Sequence, residues 1–518
     1  MADYDTIFQI DTRPTIVDFP DQKDRTAINI RYPLIKPYAY AHIYWNTKEN
    51  ELIYSIEEPT LSPSEKEILR LVLLALEEMI NISYSGTSKL NMVINYLEKN
   101  VQAILIELGT TVSKETYLKL MYYIFRNSIG LNRIEPVLND FYVEDIECNG
   151  ISFPLYIVHR KYENLKSNII YSDMQELTDF VEKLAQKTGR YVSFAKPLLD
   201  GTLPDGSRIN ATYTQDITTR GPTFTIRKFT KDPFTPIHLI NANTGTPELF
   251  AYIWLAIEHK KNFMIVGETA SGKTTFLNSI LSFIPPEARV CSIEDTRELN
   301  LSHDNWMPSV SRTGYGIPNL LGKEYGEITL FDLLRESFRQ NPDYVIVGEI
   351  RGKEAYVLFQ GMASGHASFG TFHAGSVETL VRRLETPPIN LSSSLIESLD
   401  VCCVMTHIKE YDKNFRRLKQ LAEIQSKLKE IGKVEYTVPF EWDPVTDKLM
   451  QKPEMKLLDK ISKNTGVPVE TLKEELRIRS DLLRKMALRK MSDFKEINEI
   501  IKNYYLNKFK VLEQFNLK

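Results

Sequence analysis

Lys273 stands inside Gly267-Glu268-Thr269-Ala270-Ser271-Gly272-Lys273-Thr274, a lysine and a hydroxyl at the end of a glycine-bounded run. These residue types fit phosphate chemistry. Glycines let backbone N–H groups curl around a phosphate without Cβ clashes, and a helix starting there adds the partial positive charge of its N-terminus. In the pattern G-x-x-x-x-G-K-[ST] the lysine reaches the β- and γ-phosphates of a nucleoside triphosphate, and the next hydroxyl, here Thr274, ligates Mg²⁺. The pattern carries this meaning between a strand and a helix. Asn262-Phe263-Met264-Ile265-Val266 supplies the strand, and Thr275-Phe276-Leu277-Asn278-Ser279-Ile280-Leu281 the helical pattern. Residues 267–275 are read as the nucleotide loop, with ATP and Mg²⁺ as ligands.

Three clusters follow the loop. Val290-Cys291-Ser292-Ile293-Glu294-Asp295-Thr296-Arg297-Glu298-Leu299 reads as a strand ending in carboxylates, either at the next carboxyl edge of the sheet or as the cap of a following helix. Asp343-Tyr344-Val345-Ile346-Val347-Gly348-Glu349-Ile350-Arg351 reads as a buried strand that delivers Glu349 beside the phosphates, where Mg²⁺ ligation and water activation need a carboxylate. In Gly365-His366-Ala367-Ser368-Phe369-Gly370-Thr371-Phe372-His373-Ala374, His366 and His373 are two of only 8 histidines. H-x₆-H lacks the further ligands of a zinc site, so these histidines are expected to sense or stabilise phosphate charge.

The elements that must position these groups alternate strand and helix from the end of a Pro-rich stretch to about residue 405, as a parallel sheet wrapped by helices does. Lys231 to Pro247, with Pro233, Pro236 and Pro247, reads as the linker before it. Upstream, residues 115–230 read as a separate α+β domain, with a Pro-Asp-Gly turn at 204–206 and an alternating strand at 224–229. Its arginines, Arg208, Arg220 and Arg227, are expected to face something anionic. Ser62-Pro63-Ser64-Glu65 opens a helix whose apolar residues recur at 68, 71, 72, 75, 76 and 79, so the first 110 residues read as a small helical docking bundle.

The ordered set Gly-Glu-Thr-Ala-Ser-Gly-Lys-Thr-Thr, Ile-Glu-Asp-Thr-x-Glu-Leu, Val-Gly-Glu-Ile-Arg and Gly-His…Thr-x-His-Ala resembles the type II/IV secretion ATPase superfamily. That superfamily comprises the hexameric motors of type II secretion, type IV pili, conjugation-related systems and the archaellum. The resemblance spans residues 115–405, and His303-Asp304-Asn305-Trp306 draws it toward the archaeal branch. It implies an α/β fold in which a PAS-like α+β domain and a linker precede a RecA-like ATPase domain. The expected division is 1–112 as a partly helical docking region, 113–231 as the α+β domain, 232–247 as linker, 248–408 as the ATPase core and 409–518 as a mostly helical extension.

By the same resemblance Lys273 and Thr274 take the phosphate and Mg²⁺ roles, Glu349 is a Mg²⁺ or water contact, and Glu294 is the general base. His366 and His373 form a histidine box, and Arg208, Arg220 and Arg227 are arginine-finger candidates, within a subunit or across an interface. The implied machine is a homo-hexamer at the cytoplasmic face of the membrane that drives pilus assembly through a polytopic platform protein, touching pilins indirectly. An archaellum motor or a type II secretion ATPase are the alternatives. The tetracysteine zinc module borne by many bacterial members is missing from this sequence.

The whole chain agrees. With 518 residues it is expected to form two or three domains. A net charge of −4 gives no reason to expect nucleic acid as a partner, and no basic stripe interleaved with aromatics argues for a translocase. Residues 451–518 hold 16 Lys+Arg against 10 Asp+Glu, a basic tail suited to an anionic membrane face or an acidic partner, or the solvated side of helices. Cys148, Cys291, Cys402 and Cys403 form no C-x-x-C pair, so neither a disulfide framework nor a four-thiolate zinc site is supported, and a reducing cytosol fits. Met1-Ala2-Asp3-Tyr4-Asp5 lacks the basic and apolar regions of a signal peptide. The apolar stretch Ile68 to Ile80 is broken by Arg70, Glu77 and Glu78, too short to span a membrane.

Overall fold

The computed structural model describes residues 7–517 except 14, 16, 18, 20–24, 80–89, 230–232, 313, 315–324, 411–412 and 426–434. Contacts divide the chain into two compact units, one up to Phe229 and one from Thr230.

The first unit places three strands before its first α-helix: β1 (Asn29–Ile35), β2 (Ala39–Asn46) and β3 (Glu51–Glu57). Helices α1 (Pro63–Met79), α2 (Leu90–Glu107), α3 (Lys114–Ile124) and α4 (Glu135–Leu138) follow. Then come β4 (Val143–Cys148), β5 (Pro154–His159), β6 (Glu163–Ile170), α5 (Met174–Lys187), β7 (Leu198–Thr202), β8 (Arg208–Thr212) and β9 (Thr223–Arg227). Among the described residues the strands form one nine-stranded sheet in the order β1-β2-β3-β6-β5-β4-β9-β8-β7. The capping box at Ser62 and Glu65 forms as the sequence predicts, with Ser62 N–H donating to Glu65 Oε2 at 2.8 Å and Glu65 N–H to Ser62 Oγ at 3.2 Å.

The boundary expected at residue 112 does not separate two cores. β3 pairs in parallel with β6 through Ile53↔Lys166 and Tyr54↔Ser167, and Tyr54, Leu120, Ile157 and Phe180 share one core. Tyr32 and Tyr54 hydroxyls donate to the buried Asp140 Oδ2 at 2.7 and 2.6 Å, tying β1 and β3 to the turn before β4. The helical period of α1 dominates a reading of residues 1–110, yet the alternation Ala39, Ala41, Ile43 inward against Tyr40, His42, Tyr44 outward is the period of a half-buried strand.

The second unit opens with α6 (Pro236–Asn241) and α7 (Pro247–Glu258). The prolines that suggest a linker instead start helices: Pro236 and Pro247 occupy first-turn positions, where a missing N–H costs nothing, behind the caps Thr235 and Thr246. Residues 233–247 are thus packed structure of this unit. Next come β10 (Phe263–Gly267), α8 (Lys273–Ile280), β11 (Val290–Glu294), β12 (Trp306–Val310), α9 (Leu330–Ser337), β13 (Tyr344–Ile350), α10 (Glu354–Ala363), β14 (Ala367–His373), α11 (Val377–Glu385) and α12 (Ser393–Ile396). β15 (Val401–Glu410), β16 (Lys413–Ile424), β17 (Tyr436–Asp443) and β18 (Lys448–Gln451) precede α13 (Lys456–Thr465), α14 (Val469–Leu488), α15 (Phe494–Leu506) and α16 (Lys508–Gln514).

The sheet order is β12-β11-β13-β14-β10-β15-β16-β17-β18, parallel from β12 to β15 and antiparallel beyond. β10, with a later strand on each side, is the RecA-like arrangement. It buries both faces: Phe263 and Ile265 join one core with Phe369 and Cys403, Met264 and Val266 the other with Val345 and Cys402. All four cysteines are free and buried.

Residue 408 falls inside β15, so the sheet runs on through β18 before the helical extension begins. That extension packs onto α7 within the same core. Arg479 of α14, 3% exposed, ion-pairs with Glu258 and with Glu475 (3.0 Å), and its guanidinium lies 4.8 Å from the Trp254 ring. Among the described residues no helix is long and apolar enough to cross a membrane.

Candidate nucleotide site

Because β11, β13, β14 and β10 are parallel, their carboxyl ends deliver Glu294, Ile350, His373 and Gly267 to one edge, where open α/β sheets bind ligands. After Gly267 the chain doubles back through Ala270 (φ 60°) and Gly272 (φ 86°). The buried Ser271 hydroxyl holds the turn by donating to Glu268 O at 2.8 Å. Gly267 is required here: a Cβ on it would lie 2.4 Å from Ser271 Oγ and 2.8 Å from Met405 O.

Lys273 begins α8, whose N-terminus carries no side-chain cap and so keeps its positive end for an anion. The Lys273 ammonium donates to the carbonyls of Gly267 (3.1 Å) and Glu268 (2.8 Å) and sits 3.3 Å from His373 Nδ1. Burial lowers its pKa, with partial compensation by Glu349. A cation held only by neutral acceptors is ready for a stronger, charged partner.

His373 extends this line to Glu349, its Nε2 2.7 Å from Glu349 Oε1, a close contact without hydrogen-bond alignment. Arg351, just past the end of the strand, ion-pairs with Glu349. Burial raises the Glu349 pKa, but Arg351, His373 and Lys273 together leave it below the ordinary value. Glu349 is two strands from β10, about 10 Å across the sheet.

Glu294, one strand further out, is 2% exposed. Its Oε1 accepts from the N–H groups of Glu298 (2.8 Å) and Leu299 (2.9 Å), while Oε2 is buried without a partner. Burial pushes its pKa up to about 7 against those two bonds. Gly348 makes room for it, since a Cβ there would lie 2.9 Å from Glu294 Cγ.

The remaining expected residues stand elsewhere. His366 precedes β14 and His373 ends it, so seven strand residues, about 23 Å, separate them. His366 lies at the opposite edge of the sheet, its ring 5.0 Å from that of Phe338, and a histidine box of both residues does not assemble at the loop. Arg208, Arg220 and Arg227 belong to the first unit. Arg208 pairs with Asp200 (3.2 Å) and Arg227 with Asp145 (3.3 Å), and the Arg220 guanidinium lies 4.3 Å from the Phe153 ring.

Two residues near the site receive no role from a reading of the sequence. Arg351 was signalled by its two-residue spacing from Glu349, and Arg416 of β16, whose Nε donates to Ala270 O at 2.9 Å, has no local signal at all. Among the described residues no group of three or more His, Cys, Asp or Glu could hold a metal. Mg²⁺ binds mainly through phosphates and water and needs no such group, so the donors that fit it are the Thr274 hydroxyl and the Glu349 carboxylate.

The family model for the type II/IV secretion system protein matches residues 134–429. The chain belongs to the type II/IV secretion system protein family. The match to this family takes in the loop, Glu294, Glu349, His373 and Arg416, and stops before α13–α16. An uncharacterized protein of the archaeon Methanocaldococcus jannaschii is 36% identical over 501 residues, 92% of this chain and 89% of that protein, in keeping with the archaeal branch of the family. The type IV secretion system protein PtlH of Bordetella pertussis is 29% identical over 233 residues, 40% of this chain and 67% of that protein. Among solved structures, the chain is similar to the Legionella pneumophila ATPase DotB, with a TM-score of 0.40 and 17% identity over 70% of this chain and 92% of that chain.

Proposed function

We propose that this protein hydrolyses ATP as a homo-hexameric motor that powers assembly of an archaeal type IV pilus-like filament, docked on a polytopic membrane protein at the cytoplasmic face. The observation that carries the reading is the unbroken line from the phosphate loop through Lys273 and His373 to Glu349 at one sheet edge. Lys273 exchanges its two carbonyl acceptors for phosphate oxygens. Thr274 and Glu349 are the residues that would hold Mg²⁺, which supplies neutralisation of charge on the β- and γ-phosphate oxygens when bound. Glu294 is the general base: with a pKa of about 7 it is poised near working pH, and its buried Oε2 is the atom left to take the proton from water. His373, between Lys273 and Glu349, couples the loop's charge to the carboxylate. Arg208, Arg220 and Arg227 are proposed as arginine fingers, within a subunit or across a subunit interface.

Similarity to PtlH supports a second reading, a motor for secretion rather than for a filament. A strain lacking the gene, complemented with wild-type or Lys273→Ala protein, separates the two when pili, swimming and secretion are scored. Filament loss restored only by the wild type is expected; intact filaments with lost secretion would favour the second reading, and lost swimming alone an archaellum motor.

A further inference from the structure

We propose that Arg416 is a nucleotide-binding residue, a second cation at the phosphate loop supplied by the β15–β16 hairpin. The proposal rests on the nucleotide reading above and adds a residue that the phosphate-loop pattern does not contain. β15 runs parallel to β10 as far as Gly267↔Met405, then continues past the sheet edge, and Arg416 stands opposite His407 on the returning strand. That register sets Arg416 level with the loop. Its Nε donates to Ala270 O at 2.9 Å, and its Cδ is 3.0 Å from where a Cβ on Gly272 would lie. The second glycine of the loop therefore does two things: it adopts the left-handed turn and leaves space for the arginine stem to cross.

The backbone at this position is fixed while the guanidinium is uncommitted. Arg416 O accepts from Thr244 Oγ1 (3.2 Å) and from the Arg417 guanidinium (3.1 Å). Arg417 itself is buried, with Nε and one terminal nitrogen each 2.8 Å from an oxygen of Asp447 and the other nitrogen 2.9 Å from Ala242 O, which is how an architectural arginine looks. Arg416 is exposed, pairs with no carboxylate among the described residues, and spends one donor on a neutral carbonyl. A guanidinium fork matches phosphate oxygens, and charge-assisted bonds are about twice as strong as neutral ones. When the loop takes up a nucleoside di- or triphosphate, Arg416 turns its free donors onto the phosphates from the rim while Lys273 engages them from within.

Calorimetric titration of the full-length protein with Mg-ATP tests this, using wild type, Arg416→Gln, Arg416→Lys and Lys273→Ala. Glutamine keeps a donor for Ala270 O but no charge. The expected result is an affinity loss of about tenfold or more for Arg416→Gln, a smaller loss for Arg416→Lys, and melting temperatures without nucleotide equal to wild type. Wild-type affinity in Arg416→Gln, with Lys273→Ala impaired, overturns the proposal and leaves the nucleotide site standing. Losses in both variants that come with melting temperatures lowered without nucleotide also overturn it, because then Arg416 holds the loop in shape and does not contact the phosphates. A wild type that binds no Mg-ATP, or a Lys273→Ala that binds as well as wild type, overturns the nucleotide reading and this proposal with it.

Discussion

Glu294 shows how a single side chain links burial to chemistry. Its carboxyl is kept neutral up to a pH of about 7 because burial penalises the anion more than two N–H bonds reward it. In the unfolded chain it titrates near 4.5. Between these values the folded protein holds the extra proton, so stability falls as pH rises through the window and the deficit is constant above it. Fully developed, the deficit is about 3 kcal/mol. Glu294→Gln, which keeps the acceptor oxygen and removes the titration, is expected to match wild type in melting temperature near pH 4.5, gain progressively to pH 7, and stay several degrees higher beyond. Parallel melting profiles for the two proteins would show that this carboxyl titrates normally.

At the scale of elements, α14 is clamped to α7 by one buried charge. Arg479→Met removes the buried cation that pairs with Glu258 and Glu475, and because both carboxylates are partly exposed and regain water, the expected cost is the loss of charge-assisted hydrogen bonds, about 1.5–3 kcal/mol. A lowered melting temperature that Glu258→Gln partly restores is expected; no change on Arg479→Met alone would mean that the apolar packing and the remaining polar contacts, such as Arg484–Glu248, hold the helical extension.

The parts of this architecture visible in the sequence are those with short-range signals. A buried strand followed by Gly267–Thr274 specifies loop, lysine and helix start together, and the Ser62–Glu65 capping box marks the start of α1. The other features depend on long-range pairing. Nothing near Tyr54 announces that it will pair with Ser167, and Pro236 and Pro247 serve equally in linkers and at helix starts. His366 and His373 share a motif but not a sheet edge, because a strand converts seven residues into distance. Arg416 reaches Ala270 across 146 residues, through a hairpin register that sequence spacing alone does not encode.

At the scale of the whole molecule, Lys273, Glu349, His373, Glu294 and Arg416 all come from the second unit, while the first unit contributes its own sheet and the three candidate arginines. The central claim is that this loop and its neighbouring carboxylates cleave ATP. Mg²⁺-dependent phosphate release by the purified full-length protein, measured beside Lys273→Ala and Glu294→Gln, tests it most directly. We expect turnover by the wild type, neither binding nor turnover in Lys273→Ala, and in Glu294→Gln bound ATP that is not cleaved in a single-turnover measurement. Undiminished hydrolysis by Lys273→Ala, or normal single-turnover cleavage by Glu294→Gln, would contradict the account.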